Sequence, residues 1–126
     1  MPNIQHERDK VRRPCIAYLR QMIAYNQLKR YTFLYWTCPP DLGKQKPQVI
    51  ARMKKDGYEK GVYDLTILAG NAQVSKIFLI EFKYGANKLT DEQQIIWDKS
   101  QSINNIEAII IKSTEQFKEF IAENFK

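Results

Sequence analysis

Residues 62–68, VYDLTIL, and residues 77–84, IFLIEFKY, are two short apolar runs that carry charge where a buried strand normally carries none. Both runs are rich in β-branched and aromatic residues, which favours strands, and Gly70-Asn71 between them is typical of a turn. Side chains alternate along a strand, so both faces of the two predicted strands are mostly apolar. This pattern indicates strands that are covered on both sides.

The charged residues of the two runs fall on one face of the predicted strand pair. Asp64 alternates in register with Thr66, while Glu81 and Lys83 alternate with Leu79. If the strands are neighbours, the two carboxylates approach within several ångströms, with Lys83 on the same face. Buried carboxylates lose hydration and repel each other, so a divalent cation would hold them, and Mg²⁺ or Mn²⁺ suits oxygen ligands. The alternative is that all three charged residues are solvated at a sheet edge.

Length and composition predict one globular domain over residues 1–126. The chain has 126 residues, of which 44% are hydrophobic and 27% charged, enough for one core and an ordinary globular balance. No run approaches the ~20 apolar residues of a membrane span. Residues 6–10, HERDK, interrupt the position where a signal peptide would be apolar. The sequence therefore predicts an intracellular, cytoplasmic protein without a membrane partner.

The net charge of +6 favours an acidic partner, and nucleic acid is the common polyanion. A group of basic residues precedes the strand that contains Asp64, and it is a candidate for phosphate contacts. Its members are Lys44, Lys46, Arg52, Lys54, Lys55 and Lys60. The alternative interpretation of this group is an ordinary solvated face.

Histidine and cysteine chemistry has few residues to use in this chain. His6 is the only histidine, so a Ser-His or Cys-His pair or a histidine-rich zinc site has little support. Cys15 and Cys38 show no metal-ligand spacing, and we expect both to be reduced and structural.

The remaining pattern predicts an α/β sandwich, in which a central four-stranded mixed sheet is flanked by helices. The third and fourth strands enclose a helix, which permits a parallel crossover, and the first three strands can form a meander. The further predicted elements are a helix over 3–29 that Pro14 begins or kinks, a strand over 31–37, a basic helix over 47–55 that Asp56-Gly57 closes, a helix from Thr90 to about 102, a strand over 106–112 and a helix over 114–125.

Two further residues have both a functional and an ordinary interpretation. Glu7 lies four residues before Val11 on the inward stripe of the first helix, or else at a frayed helix start where it complements the helix dipole. Gln93 completes a capping-box pattern with Thr90, and capping alone would explain its position.

Three motifs, taken in order, resemble the PD-(D/E)xK nuclease superfamily, and within it the small stand-alone VRR-NUC domains of phages and bacteria. They are a Gly-x-x-Asp-Leu strand at residues 61–65, a Glu-x-Lys strand at residues 81–83 and a Leu-Thr-x-x-Gln helix start at residues 89–93. Trp97 follows one turn later, and the basic helix that ends at Gly57 is similar to the same family. The resemblance covers nearly the whole chain.

Two positions bear on how closely the chain follows the family pattern. Tyr63 stands where the pattern has a proline, which contacts no metal. The family places an acidic residue in the first helix near the metal, and Glu7 is the best match to it.

The resemblance implies a restriction-endonuclease-like three-layer sandwich and a Mg²⁺- or Mn²⁺-dependent endonuclease that hydrolyses phosphodiester bonds in DNA. It implies structure-selective or nicking activity, branched or nicked DNA as the partner, and a possible homodimer. It also implies the site roles: Asp64, Glu81 and the backbone carbonyl of Phe82 bind metal, Glu7 assists the metal, Lys83 positions the attacking water and Gln93 orients the nucleophile or a phosphate.

Two other classes of function remain open from the sequence. The first is a non-catalytic nucleic-acid-binding module that retains the nuclease fold. The second is a structural or interaction protein whose acidic pair is simply solvated. DNA binding without cleavage in any divalent metal would indicate the first class. Absence of both Mn²⁺ binding and DNA binding would indicate the second.

Overall fold

A computed structural model describes residues 7–25, 27–38, 45–57 and 63–125 of the chain. The helices and strands follow one another in the predicted order. They are a π-helical turn at Arg8–Arg12, α1 at Arg13–Ala24, β1 at Thr32–Thr37, α2 at Pro47–Lys55, β2 at Leu65–Gly70, β3 at Ser75–Phe82, α3 at Asp91–Ser100, β4 at Ile106–Ile111 and α4 at Thr114–Phe125.

The four strands form one mixed sheet in the order β1-β2-β3-β4. The β1–β2 and β2–β3 pairs are antiparallel, and β3 pairs with β4 in parallel through the crossover that contains α3. The predicted meander and parallel crossover are therefore confirmed. Leu65 lies opposite Ile80 and Thr66 opposite Leu79, so the two strands share faces as the alternation predicted.

One face of the sheet carries the hydrophobic core, against which α1 and α4 pack. The ring centroids of Phe78 and Phe120 lie 5.1 Å apart, and those of Phe82 and Phe117 lie 6.3 Å apart. Contacts of this edge-to-face or tilted kind add to the burial of apolar area. The core residues with the least exposure include Cys15, Leu19, Leu65, Ile67, Phe78, Ile80, Phe82, Ile111, Phe117 and Ile121.

The opposite face of the sheet is covered less completely than the sequence predicted. The helix α3 packs beside β4 on this face, and the apolar residues of β2 and β3 that point to it are half-buried. Over β1, Leu34 and Trp36 are 59% and 56% exposed. The core face is therefore covered as predicted, whereas this face is covered only in part. The reason is that α3 belongs to the β3–β4 crossover at the far side of the sheet.

The first helix differs from its prediction in length and shape. It ends at Ala24, and a π-helical turn at Arg8–Arg12 precedes α1. Pro14 lies in the first turn of α1, which is one of the two predicted alternatives. A proline removes a backbone donor and its ring clashes with the carbonyl four residues back, so the wider π turn before Pro14 relieves that clash.

The basic helix has the predicted bounds but buries none of its residues. Pro47 begins α2, and Gly57 follows it with a φ of 106°, a conformation that favours glycine. Val49, Ile50 and Met53 are half-buried rather than fully inward.

None of the helices in the described ranges is long and apolar enough to cross a lipid bilayer.

Candidate active site

The predicted acidic pair lies where the start of β2 meets the end of β3. Asp64 directly precedes β2, which corrects the prediction that it lies inside the strand, and Glu81 is the second-last residue of β3. The Asp64 amide donates to Glu81 Oε1 at 3.2 Å. The Phe82 amide donates to Asp64 Oδ2 at 2.9 Å. The antiparallel pairing of β2 and β3 thus brings both carboxylates to one point.

Gln93 joins Glu81 to Lys83. Its Nε2 donates to Glu81 Oε2 at 2.7 Å, and its Oε1 accepts from Lys83 Nζ at 2.9 Å. The Lys83 Nζ also lies 3.9 Å from Glu81 Oε2. Both charged residues are buried, and the exposed fraction of Glu81 is 2%. The structure therefore brings together the acidic pair, the lysine and the glutamine that the motifs singled out.

The capping box at the start of α3 fixes the Gln93 side chain. The Gln93 amide donates to Thr90 Oγ1 at 3.2 Å, and the Thr90 amide donates to Gln93 Oε1 at 2.9 Å. Gln93 therefore caps the helix, as predicted, and at the same time contacts Glu81 and Lys83. The two interpretations of this residue hold together, since its amide group has enough donors and acceptors for both.

Arg12 is a site residue that the sequence analysis missed. Its Nη1 donates to Asp64 Oδ1 at 3.1 Å, its Nη2 donates to the carbonyl of Cys38, and the residue is only 8% exposed. It links the first helix, the end of β1 and the acidic pair. A signal was present, because Arg12 precedes Cys15, Ile16 and Leu19 at spacings of three, four and seven on the inward stripe.

The π-helical turn brings Glu7 to the same cluster. The Arg13 amide donates to the carbonyl of Arg8, five residues back, so residues five apart lie closer together around the axis than in an α-helix. Glu7 and Arg12 are such a pair. Burial raises the pKa of Glu7 to about 7, Lys83 and Arg12 oppose the rise, and Asp64 adds to it. Glu7 therefore lies within electrostatic reach of Asp64, Lys83 and Arg12, and it has a hydrogen bond to the Asn87 side chain.

Burial also raises the pKa values of the acidic pair. The pKa of Glu81 rises to about 9, because burial and the charge of Asp64 outweigh the attraction of Lys83. Burial raises the pKa of Asp64 as well, against the Phe82 amide, Arg12 and Lys83. Three carboxylates face two cationic side chains, so full ionisation leaves one uncompensated negative charge. A buried site of this kind favours either a shared proton or an added cation.

The carboxylates of this site suit an open magnesium or manganese site better than a site in which the protein supplies every metal ligand. In the described part of the chain, no group of three or more His, Cys, Asp and Glu side chains is arranged to hold a metal ion. Mg²⁺, however, is commonly bound through one or two carboxylates and keeps several waters. Asp64 and Glu81 supply hard oxygens, and their excess negative charge is the complement of a divalent cation.

The basic group before β2 is described only in part. Lys46, Arg52, Lys54 and Lys55 are exposed on or beside α2, while Lys44 and Lys60 lie outside the described residues. The charges that act on Asp64 and Glu81 come from the site itself and not from α2. The structure thus shows an exposed basic helix but does not bring its side chains into the acidic cluster.

Cys15 and Cys38 are both free thiols, as predicted. Cys15 is buried in the core, and burial raises its pKa to about 12, so it is an unreactive packing residue.

Comparison of the chain with protein-family models, with curated proteins and with solved structures finds no match.

Proposed function

We propose that this protein is a divalent-metal-dependent DNA endonuclease of the PD-(D/E)xK type, with a restriction-endonuclease-like three-layer fold. One observation carries the proposal: a buried and a half-buried carboxylate, a buried lysine and a glutamine are joined by hydrogen bonds at the meeting point of β2 and β3. Burying each of these charged side chains has a desolvation cost. A sheet edge with no function would therefore not be expected to gather them at one point. The α/β architecture with a four-stranded mixed sheet is compatible with this fold.

The metal would be held by Asp64 and Glu81, together with the Phe82 carbonyl. The Phe82 amide points to Asp64, and the amide and carbonyl of one strand residue point to the same side. The carbonyl is therefore expected beside the acidic pair. When bound, Mg²⁺ or Mn²⁺ lowers the pKa of a coordinated water and polarises the scissile phosphate.

Lys83 and Gln93 act on the reacting groups in this proposal. The Lys83 amino group is held by Gln93 Oε1 next to Glu81, where it orients the attacking water and offsets negative charge that develops on the phosphate. Gln93 is held by its own capping box, so it positions Lys83 and Glu81 relative to each other. Such fixed donors act without reorganisation during the reaction.

Arg12 and Glu7 complete the site from the first helix. Arg12 holds the Asp64 carboxylate in place and ties it to the end of β1 through Cys38. Glu7 adds a third carboxylate near the same point and would assist the metal through water. Arg12 is a positioning residue in this scheme, since it acts through Asp64.

DNA is the substrate that the charge distribution favours. The chain has a net charge of +6, and the exposed basic side chains of α2 would offset the repulsion between phosphates and the acidic cluster. A domain of this size has little surface for base readout, so selection of branched or nicked DNA is expected. A symmetric homodimer would place two sites across one duplex.

The test is cleavage of supercoiled plasmid DNA by the purified full chain, with Mg²⁺, with Mn²⁺ and with EDTA. We expect cleavage only with metal, and a rate loss of about 100-fold or more in Asp64→Asn and Lys83→Met, as for removal of a transition-state donor. Lys76→Met is the matched control, because Lys76 lies in β3, which Lys83 directly follows, but it forms an exposed ion pair with Glu107. Undiminished cleavage by both site variants, or cleavage in EDTA, would contradict the proposal.

A non-catalytic nucleic-acid-binding module is the second candidate. Two observations favour it. In the described ranges, no three His, Cys, Asp or Glu side chains are arranged to hold a metal ion, and protein donors already bond to each carboxylate. Salt-sensitive DNA binding without turnover in any divalent metal would support this candidate over the nuclease.

A further inference from the structure

An exposed apolar pair on β1 lies on the same face of the sheet as the acidic cluster. Leu34 and Trp36 are 59% and 56% exposed, although large apolar side chains are usually covered. Both belong to an edge strand that pairs only with β2 in the sheet order. Trp36 lies opposite Thr66, and Thr66 is two residues from Asp64, so all three share one face.

The distance from Trp36 to the acidic cluster follows from strand geometry. Neighbouring strands lie about 4.8 Å apart and two residues span about 7 Å, so the Cα atoms of Trp36 and Asp64 are separated by on the order of 8 Å. The end of β1 is also fixed to Asp64 directly. The Cys38 amide donates to the Asp64 carbonyl at 2.9 Å, and Arg12 bonds both to Asp64 and to the Cys38 carbonyl.

We propose that Trp36 is a stacking platform for an unpaired nucleobase of the DNA strand whose phosphate lies at the acidic cluster. This inference rests on the proposed nuclease function and narrows its substrate class. Phosphates are repelled by Asp64 and Glu81, and a lysine placed there would be captured by the carboxylates. A neutral indole holds a nucleotide close to the acids without either problem, and base stacking does not depend on sequence.

The indole selects unpaired nucleotides because of its placement on a sheet face. In a duplex, each base face is covered by the neighbouring base pairs, so a side chain on a sheet face cannot reach it. A flap, a gap or a single strand leaves base faces free at no unstacking cost. The substrate class is therefore DNA with unpaired nucleotides next to the scissile phosphate.

A nucleotide accounts for the exposed pair better than a second copy of the chain. A copy that covers Leu34 and Trp36 would stand about one strand away from Asp64 and would crowd the sheet face on which the acidic pair lies. The net charge of +6 also attracts a polyanion.

Binding is measured in the Lys83→Met background with Mg²⁺, so that bound DNA is not cut. Fluorescein-labelled oligothymidine and a blunt hairpin duplex are titrated against this parent protein and its Trp36→Ala variant. We expect Trp36→Ala to weaken oligothymidine binding by about 5- to 150-fold, the range for loss of one stacking contact, with little change for the duplex. Tyr25→Ala is the matched control, since Tyr25 is an aromatic residue with 68% exposure on a different element.

Intrinsic fluorescence gives a second readout for the same inference. Trp36 and Trp97 are the two tryptophans of the chain, so Trp97→Phe leaves Trp36 as the sole indole. Oligothymidine should quench its emission strongly, and the blunt duplex should quench it weakly. A thermal melt of each variant checks that its fold is retained.

Three outcomes would overturn the inference. Equal weakening for both DNA forms, or none for oligothymidine, would show that Trp36 does not select unpaired bases. A change of sedimentation mass in Trp36→Ala would show that the pair is covered by a second copy. If metal-dependent plasmid cleavage by the wild-type protein is present in these cases, only the stacking inference fails; if that cleavage is absent, the nuclease proposal fails with it.

Discussion

Replacing Glu81 with glutamine should make the metal-free protein more stable at neutral pH while removing its cleavage activity. Burial and Asp64 raise the pKa of Glu81 from 4.5 to about 9 in the folded state. The folded state therefore retains a proton that the unfolded state releases above pH 4.5. Stability from this group is fully present below about pH 4.5 and is lost as the pH rises towards 9.

The expected size follows from this difference of one bound proton. Each pH unit inside the window changes the free energy of unfolding by about 1.4 kcal/mol. Between about pH 5.5 and 7.5 the wild-type protein should therefore lose about 3 kcal/mol from this group. Both values lie inside the window even if the folded-state pKa is one unit lower.

Glutamine removes this pH dependence because it has no proton to release. Its Oε1 can still accept from Gln93 Nε2, and its Nε2 can donate to the Asp64 carboxylate, although the bond that Glu81 Oε1 accepts from the Asp64 amide is lost. The substitution therefore keeps the packing of a residue that is almost fully buried. It also removes a metal ligand, so activity is lost while stability at pH 7.5 rises.

The assay is urea unfolding in EDTA at the two pH values, for the wild type and for Glu81→Gln. Glu107→Gln serves as the control for loss of one carboxylate, because its side chain is 44% exposed in a surface ion pair. Saturating Mn²⁺ should flatten the wild-type dependence, since a bound cation favours the ionised pair. If the free energy of unfolding falls equally between the two pH values in both proteins, the raised pKa of Glu81 is refuted.

Two further perturbations test the partners of the acidic pair. Arg12→Met should lower the free energy of unfolding by about 3 kcal/mol or more, because it leaves the Asp64 carboxylate without its cation. The loss should be smaller in an Asp64→Asn background. Additive losses for the two substitutions, measured by urea unfolding, would argue against direct pairing. Gln93→Glu retains a residue that completes the capping box but sets a further carboxylate beside Glu81, so we expect a lower melting temperature in EDTA that Mn²⁺ restores, whereas Gln93→Ala should melt lower both with and without Mn²⁺. Equal melting of Gln93→Glu with and without Mn²⁺ would separate Gln93 from the metal site.

Much of the fold could be predicted because the residues typical of helix ends agree with the apolar pattern. Pro47 and Gly57 bound α2, and Thr90 begins α3 with its capping box, as expected for helix starts and stops. The alternation of the two apolar runs set which residues of β2 and β3 share a face. Local propensity, pattern and capping point to one answer in these elements, and their predictions were confirmed.

The start of β2 could not be predicted from alternation alone. The pattern extends to residue 62, yet the strand begins at Leu65. The Phe82 amide, which would bond to the neighbouring backbone in a longer ladder, donates to the Asp64 side chain instead. Aspartate competes with backbone acceptors in this way, so the same carboxylate that defines the site also ends the strand.

The coverage of the second sheet face was also beyond the sequence pattern. Apolar alternation shows which side chains share a face, but it does not show how far a crossover helix reaches across the sheet. Because α3 lies beside β4, Trp36 at the opposite edge remains exposed. An apolar residue on a half-covered face looks the same in sequence as one in the core.

Arg12 was missed because helical periodicity was applied only to apolar residues and assumed regular helix geometry. Arg12 lies on the inward stripe, where a charged residue requires a buried partner. In a regular helix of 3.6 residues per turn, Glu7 and Arg12 would lie far apart around the axis, because five residues overshoot one turn. The π turn before Pro14 reduces that offset, so that both side chains act on Asp64. The position of Glu7 therefore depends on a local helix distortion, which a pattern of residue spacings does not encode, whereas Asp64 and Glu81 depend on strand alternation, which it does.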